Sequence, residues 1–144
     1  MNPLATIGYE TDTQGGMIDR LKAAGVELVV DVRAVASSRK AGFSKALLGN
    51  SLQEQGIDYL HLQPLGTPKA GRDAARAGRT DEMRAIFAAH LEEPKAQLAL
   101  AQATQLAGEK RIALLCYEDD PACCHRRIVA DRIRQALKCE VVDL

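Results

Sequence analysis

Val26 to Val32 is a nearly continuous, largely β-branched run that closes on Val-Val-Asp-Val before Arg33. A strand that is apolar on both sides is stable only where both sides are covered, which is the position of central strands in parallel sheets. Parallel neighbours need crossover connections of roughly a dozen or more residues, usually helices. The run therefore predicts an α/β chain, and the remaining sequence supplies matching parts.

Leu4 to Gly8 is a short apolar run ending on glycine, and Thr11, Asp12 and Thr13 offer caps for a helix carrying Met17, Ile18, Leu21 and Ala24, closed by Gly25. Ser44 reads as the cap of a second helix with Leu47, Leu48 and Leu52 on one face, stopped by Gly56. Ile57 to Leu62 reads as a third strand ending near His61. From Gln63 to Arg79 the chain holds Pro64, Gly66, Pro68, Gly71 and Gly78 among three arginines and a lysine. That stretch is too punctuated at its start for regular structure and is a candidate lid. Thr80 is a cap candidate for a helix through Met83, Ile86, Phe87 and Leu91. Pro94 interrupts it, and Lys95 to Ala107 resumes with Leu98, Ala101 and Leu106 before Gly108. Ile112 to Cys116 is a further strand, the next helix turns Ile128, Val129, Ile133, Ala136 and Leu137 inward, and Val141-Val142 is a short last strand. The expectation is one domain over residues 1–144, with three layers and a mostly parallel Rossmann-like sheet covered by helices on both faces.

Composition narrows the function. The formal net charge is zero, so no global field draws the protein to nucleic acid or to a membrane, and any anion site is local. Aromatic residues make up 3% of the 144, which disfavours a stacking platform for single strands. No apolar run approaches the ~18 residues of a membrane span, and Met1-Asn2-Pro3-Leu4 carries no basic leader before an apolar stretch. A cytoplasmic protein with no membrane partner is expected. In that compartment the four cysteines, two of them adjacent at Cys123 and Cys124, are expected as free thiols.

Reactive side chains crowd Ile112 to Arg127. The apolar run stops at Cys116, the acidic turn Glu118-Asp119-Asp120 follows, and a helix is expected to open on Cys123, Cys124, His125, Arg126 and Arg127, with Pro121 near its first turn. In open α/β sheets ligands bind beyond the carboxyl ends of the strands. If the strands are parallel, Gly8, Asp31, Arg33, His61, Cys116 and Glu118 all reach that edge. Cys116 reads as a small core residue or as a nucleophile. Cys124, beside His125 and Arg126 at a helix start, is the better candidate for a lowered thiol pKa; Cys139 reads as core. Glu118 is either a general acid or base or a cap for the following helix. Asp31 needs a buried partner, so a salt bridge to Arg33 or Arg126 competes with catalysis. Arg33, Arg39, Lys40 and Arg126 together could hold a phosphate or carboxylate. Zinc is the competing use of Cys116, Cys123, Cys124 and His125, but the spacing is not a paired CxxC and adjacent thiols rarely serve one tetrahedral ion, so no metal is expected. No P-loop, GxSxG or GxGxxG signature is present, so no cofactor is expected either.

Thr6-Ile7-Gly8-Tyr9, Asp31-Val32-Arg33, Ser38-Arg39 with Gly42-Phe43, Tyr59-Leu60-His61, Leu65-Gly66, Leu115-Cys116-Tyr117-Glu118 and Cys124-His125-Arg126 resemble, in order and over nearly the whole chain, the family catalogued as domain of unknown function 488. The resemblance implies an α/β domain with a cysteine, a glutamate and a Cys-His-Arg cluster in its site. The chain departs from the family at Tyr9, where a small hydroxylated residue is common, and after Asp31-Val32-Arg33, where a proline is often found. A weaker likeness to rhodanese-like domains rests on the Asp-Val-Arg strand and a cysteine after a later strand, although Arg126 lies too far along for a Cys-x5-Arg cradle.

Taken together, the expected site has Glu118, Cys124, His125, Cys116 and Asp31 in catalytic roles and Gly8, Arg33, Arg39, His61 and Arg126 in ligand binding. The expected partner is a small anionic ligand or a nucleic-acid component, handled by an enzyme. An anion- or nucleic-acid-binding module and a sulfur or thiol redox protein are the alternatives.

Overall fold

In the computed structural model, which describes residues 2–144, the strands are β1 (Leu4–Gly8), β2 (Leu28–Asp31), β3 (Asp58–His61), β4 (Ile112–Cys116) and β5 (Val141–Asp143). They form one sheet in the order β3-β2-β4-β1-β5, and every pairing is parallel. The central strand β4 is buried at all five positions, flanked by β1 and β2, which are buried along their whole length as well.

Alternation along these strands divides the core in two. Leu28, Val30, Ile112, Leu114 and Cys116 point to one face; Ala5, Ile7, Val29, Ala113 and Leu115 point to the other. The second face is covered by α1 (Gln14–Ala23) through Met17, Ile18 and Leu21 and by α2 (Lys45–Glu54) through Leu48 and Leu52. The first face is covered by α3 (Lys69–Arg76), α4 (Thr80–Leu91), α5 (Pro94–Glu109) and α6 (Arg126–Leu137), with Ala74, Met83, Phe87, Leu91, Val129 and Ile133 inward. Each fully buried Leu, Val or Phe contributes about 1.5–3 kcal/mol relative to exposure. The result is the three-layer, parallel α/β architecture that the pattern predicts.

Local signals set most boundaries. Thr13 caps α1 by accepting from the Gly16 amide at 3.1 Å, and Gly25 and Gly56 close their turns at φ +70° and +76°, a backbone that glycine adopts without steric cost. Pro94 opens α5 at its first turn, so it separates two helices.

Several expectations are corrected. Leu47 and Leu98 are 59% and 73% exposed. The inward face of α5 is instead the small-residue row Ala96, Ala99, Ala103 and Ala107, which lets the helix pack closely against α6. Ala136 is exposed too. Ser44 precedes α2 but makes no cap bond; its hydroxyl accepts from the Ser38 amide at 3.0 Å and steadies the basic loop. The punctuated stretch after β3 holds a short 3₁₀ turn at Gln63–Leu65 and then α3. Lastly, α6 begins at Arg126, with a separate 3₁₀ turn at Pro121–Cys123, so Cys124 precedes the helix in extended backbone.

Candidate functional site

Parallel strands deliver Gly8, Asp31, His61 and Cys116 to one edge of the sheet, Gly8 beside Cys116 and Asp31 beside His61. The loops that leave this edge pass very close together. A Cβ on Gly8 would lie 2.0 Å from the Glu118 carbonyl oxygen, and one on Gly66 would lie 2.2 Å from Ala34 Cα. Both glycines are positions of close backbone approach, and Gly8 is what allows the Glu118 turn to sit over the end of β1.

Asp31 is fully buried and forms a bracket with Arg33. Its carboxylate accepts from the Arg33 amide at 3.0 Å, from Arg33 Nε at 2.9 Å and from Nη2 at 2.7 Å, and the Tyr59 hydroxyl donates to it at 2.5 Å. Arg33 Nη1 donates to Tyr9 Oη at 2.9 Å and to the Phe43 carbonyl at 2.7 Å. Tyr9 stacks on Phe43 with ring centroids 4.2 Å apart. Burial alone would lower the Arg33 pKa, but the Asp31 carboxylate outweighs it and raises it. Burial first, then the hydrogen bond to Asp31, raises the Tyr59 pKa. With Nε, both Nη1 protons and one Nη2 proton committed, Arg33 retains little for a ligand. The loop after β2 is thus pinned to the sheet, and the His61 ring adds a bond from Nε2 to the Arg33 carbonyl at 2.7 Å.

The second cluster straddles β4 and the entry to α6. Cys116 Sγ lies 3.5 Å from Glu118 Oε2 and 3.8 Å from His125 Nδ1, and Cys124 Sγ is also 3.8 Å from that nitrogen. His125 donates through Nε2 to the Val32 carbonyl at 2.7 Å, and the Phe87 ring meets it edge-on at 5.0 Å. Cys116, Cys124 and His125 are all buried. The Cys116 thiol is pushed up by its hydrogen bond with Cys124, by burial and by the Cys124 and Glu118 charges. Burial pushes Cys124 up, but the Cys116 bond, His125 and Arg126 outweigh it and hold that thiol well below its usual range. His125 is opposed by burial and raised by Cys124 and the Val32 carbonyl. Burial, followed by the Cys124 charge, pushes Glu118 up to about 7. The cluster thus shifts the Cys124 thiol toward its thiolate and His125 toward its charged form, with the raised Cys116 thiol and the Glu118 carboxyl alongside.

A cavity of about 510 Å³ opens above both clusters. Its floor includes Cys116, Glu118 and His125; Arg33, Arg39, Arg72 and Arg76 contribute to its walls, with Tyr9, Tyr117, Thr67 and Met83 between them. Arg72 uses one Nη1 bond on the Thr67 carbonyl at 2.8 Å, and Arg76 makes a long ion pair of 3.6 Å with Asp73. Arg39 is exposed in the basic loop.

The expected residues divide. Cys116, Glu118, His125, Arg33 and Arg39 line the cavity. Cys124 touches the same cluster from behind His125, 3% exposed and away from the cavity walls. Arg126 points elsewhere: it is buried beneath the turn and donates to the Glu118 and Asp119 carbonyls, so it holds the turn in place of a ligand. His61 and Asp31 belong to the bracket. Gly8 borders a separate, smaller cavity with Thr11, Asp12, Arg20 and Asp119. Sequence reasoning missed Arg72 and Arg76 individually, although their i,i+4 spacing on α3 puts both on one helix face. It also missed Tyr9 and Tyr59 as members of the bracket.

Fold and site together define an all-parallel α/β protein with a cysteine, histidine and glutamate cluster at the floor of an arginine-walled cavity. The chain belongs to the family described as Domain of unknown function DUF488, whose family model matches residues 15–133. No curated protein and no solved structure gave a match. No helix among the described residues is long and apolar enough to cross a membrane.

Proposed function

We propose that the chain is an enzyme acting on a small anionic substrate, phosphate-bearing or nucleotide-related, held by the arginine wall and converted at the Cys116, Glu118 and His125 floor. One observation carries this reading: a single cavity of about 510 Å³ has both the cationic wall and the reactive floor. A phosphate group suits Arg39, Arg72 and Arg76, because guanidinium groups present planar, paired donors to oxyanions. Glu118 is the proton-transfer group by position, half-buried on the floor and 3.5 Å from Cys116 Sγ. The four cysteines are unpaired, which suits the cytoplasm, where thiols stay reduced. The single domain expected over residues 1–144 belongs to the same reading.

The experiment is a thermal-shift panel of inorganic phosphate, pyrophosphate and nucleotides, followed by product analysis of every stabilising compound. Arg72→Ala should weaken a stabilising anion about tenfold or more, the value of one charge-assisted hydrogen bond. Glu118→Gln should retain binding and reduce turnover by ~10²–10⁴-fold, because the amide keeps the shape and removes the proton carrier. A panel in which no anion raises the melting temperature sinks the reading. Stabilisation without any turnover leaves an anion-binding module instead.

A further inference from the structure

We propose that Cys116, Cys124 and His125 form a zinc site, with the two Sγ atoms and Nδ1 as protein donors and a fourth position open toward the cavity beside Glu118. The three donor atoms all lie within 4.8 Å of one another, and each sulfur is 3.8 Å from Nδ1. Around a tetrahedral zinc with bonds of about 2.3 Å to sulfur and about 2.05 Å to nitrogen, the sulfur-to-nitrogen edge is about 3.6 Å. Each sulfur would have to close on Nδ1 by only about 0.2 Å to reach that edge.

The spacing of the cysteines argues against a metal only if Cys123 and Cys124 must both reach it. In the fold they part. Cys123 is exposed and turns to Asp120 Oδ2 at 3.6 Å, while Cys124 turns inward to join the end of β4. His125 is oriented as metal-binding histidines usually are: its Nε2 donates to a backbone carbonyl, here that of Val32 at 2.7 Å, which leaves Nδ1 as the coordinating nitrogen of the neutral ring. Cys124 is buried behind the imidazole, a position that suits a ligand better than a nucleophile that must meet substrate. Two thiolates balance a divalent charge inside the core, and soft sulfur donors select zinc over magnesium or calcium. Three protein donors and an open position are the pattern of catalytic zinc sites, in which water or an oxygen of the ligand completes the tetrahedron.

This site shares Cys116 and His125 with the floor of the proposed active site, yet the two readings are tested apart, because metal uptake is read without any substrate and anion binding is read at the arginine wall. The test uses the whole chain, freed of metal by a chelator and titrated with zinc or with cobalt(II) alone. The expected result is one metal per chain. The cobalt form should show thiolate-to-metal charge-transfer absorption and visible bands of four-coordinate geometry. Cys116→Ser and Cys124→Ser should each lose the charge-transfer band or halve it, and Cys123→Ser should keep it intact. Because removal of a buried thiol can unfold the chain, X-ray absorption on the unmutated zinc form gives an independent reading, with two sulfur neighbours near ~2.3 Å expected. A zinc shell with no sulfur or with three, a chain that takes up no metal, or loss of the band in Cys123→Ser overturns the proposal. Phosphate binding weakened in Arg72→Ala with the cobalt spectrum unchanged is the expected result for two independent sites, whereas a wild-type chain that binds cobalt but no anion would overturn the substrate reading alone.

Discussion

Asp31 illustrates how a residue that looks catalytic in a sequence becomes architectural once its partners are known. The carboxylate is fully buried, and its neighbours Arg33, Tyr59 and the Arg33 amide occupy it on all sides. Removing one member of a buried ion pair leaves the other charge uncompensated at a cost of about 3–5 kcal/mol. Asp31→Asn is therefore expected to destabilise the chain by that amount, a fall of roughly 10–17 °C in melting temperature for a domain of this size. Arg33→Met in the same background should recover part of the loss, because the buried charge leaves with its partner. Thermal melts of the single and double variants check this. If Asp31→Asn melts with the wild type, the bracket contributes nothing to stability and Asp31 returns to the catalytic candidates.

At the scale of elements, strands were more legible than helix faces. β-branched continuity located β2, and an apolar run ending on Cys116 located β4, because a buried strand has no polar side to confuse the pattern. The leucines of α2 and α5 misled for a physical reason. Size and hydrophobicity mark Leu98 as inward, yet close packing of α5 is achieved by the row of alanines, and Leu98 remains on the outside. The site was legible in its types but not in its directions. Sequence order brings Cys124, His125 and Arg126 together, and only the 3₁₀ turn at Pro121–Cys123 decides that Cys124 joins the floor cluster from behind while Arg126 grips the turn. Two substitutions test the α5 reading. Ala103→Leu inserts bulk into a fully buried contact and should cost about 1–3 kcal/mol, whereas Leu98→Gln should change stability by less than about 0.5 kcal/mol. Chemical denaturation of both variants measures it, and the reverse ranking would mean that the helix face is assigned wrongly.

For the whole molecule, the decisive fact is that one sheet holds both cores. Along β2 and β4 successive residues alternate between the face under α1 and α2 and the face under α3 to α6. Neither helix layer can leave without exposing strands that the other layer needs, so the chain should unfold in one step. Leu52→Ala on one side and Phe87→Ala on the other, both at 0% exposure, probe the two layers separately. Each cavity should cost about 2–5 kcal/mol, and each should move the same single transition downward. Calorimetry supplies the check, since in a two-state chain the measured enthalpy equals the van't Hoff enthalpy. If Leu52→Ala split the transition, with the α1 and α2 layer melting ahead of the layer that carries Phe87, the sheet would not couple its two faces. The basic loop, which is anchored to the α1 and α2 layer through Phe43 and Arg33, could then loosen while the Cys116, Cys124 and His125 cluster stayed folded. A single transition keeps the arginine wall and the reactive floor in one cooperative unit, as a cavity built from both layers requires.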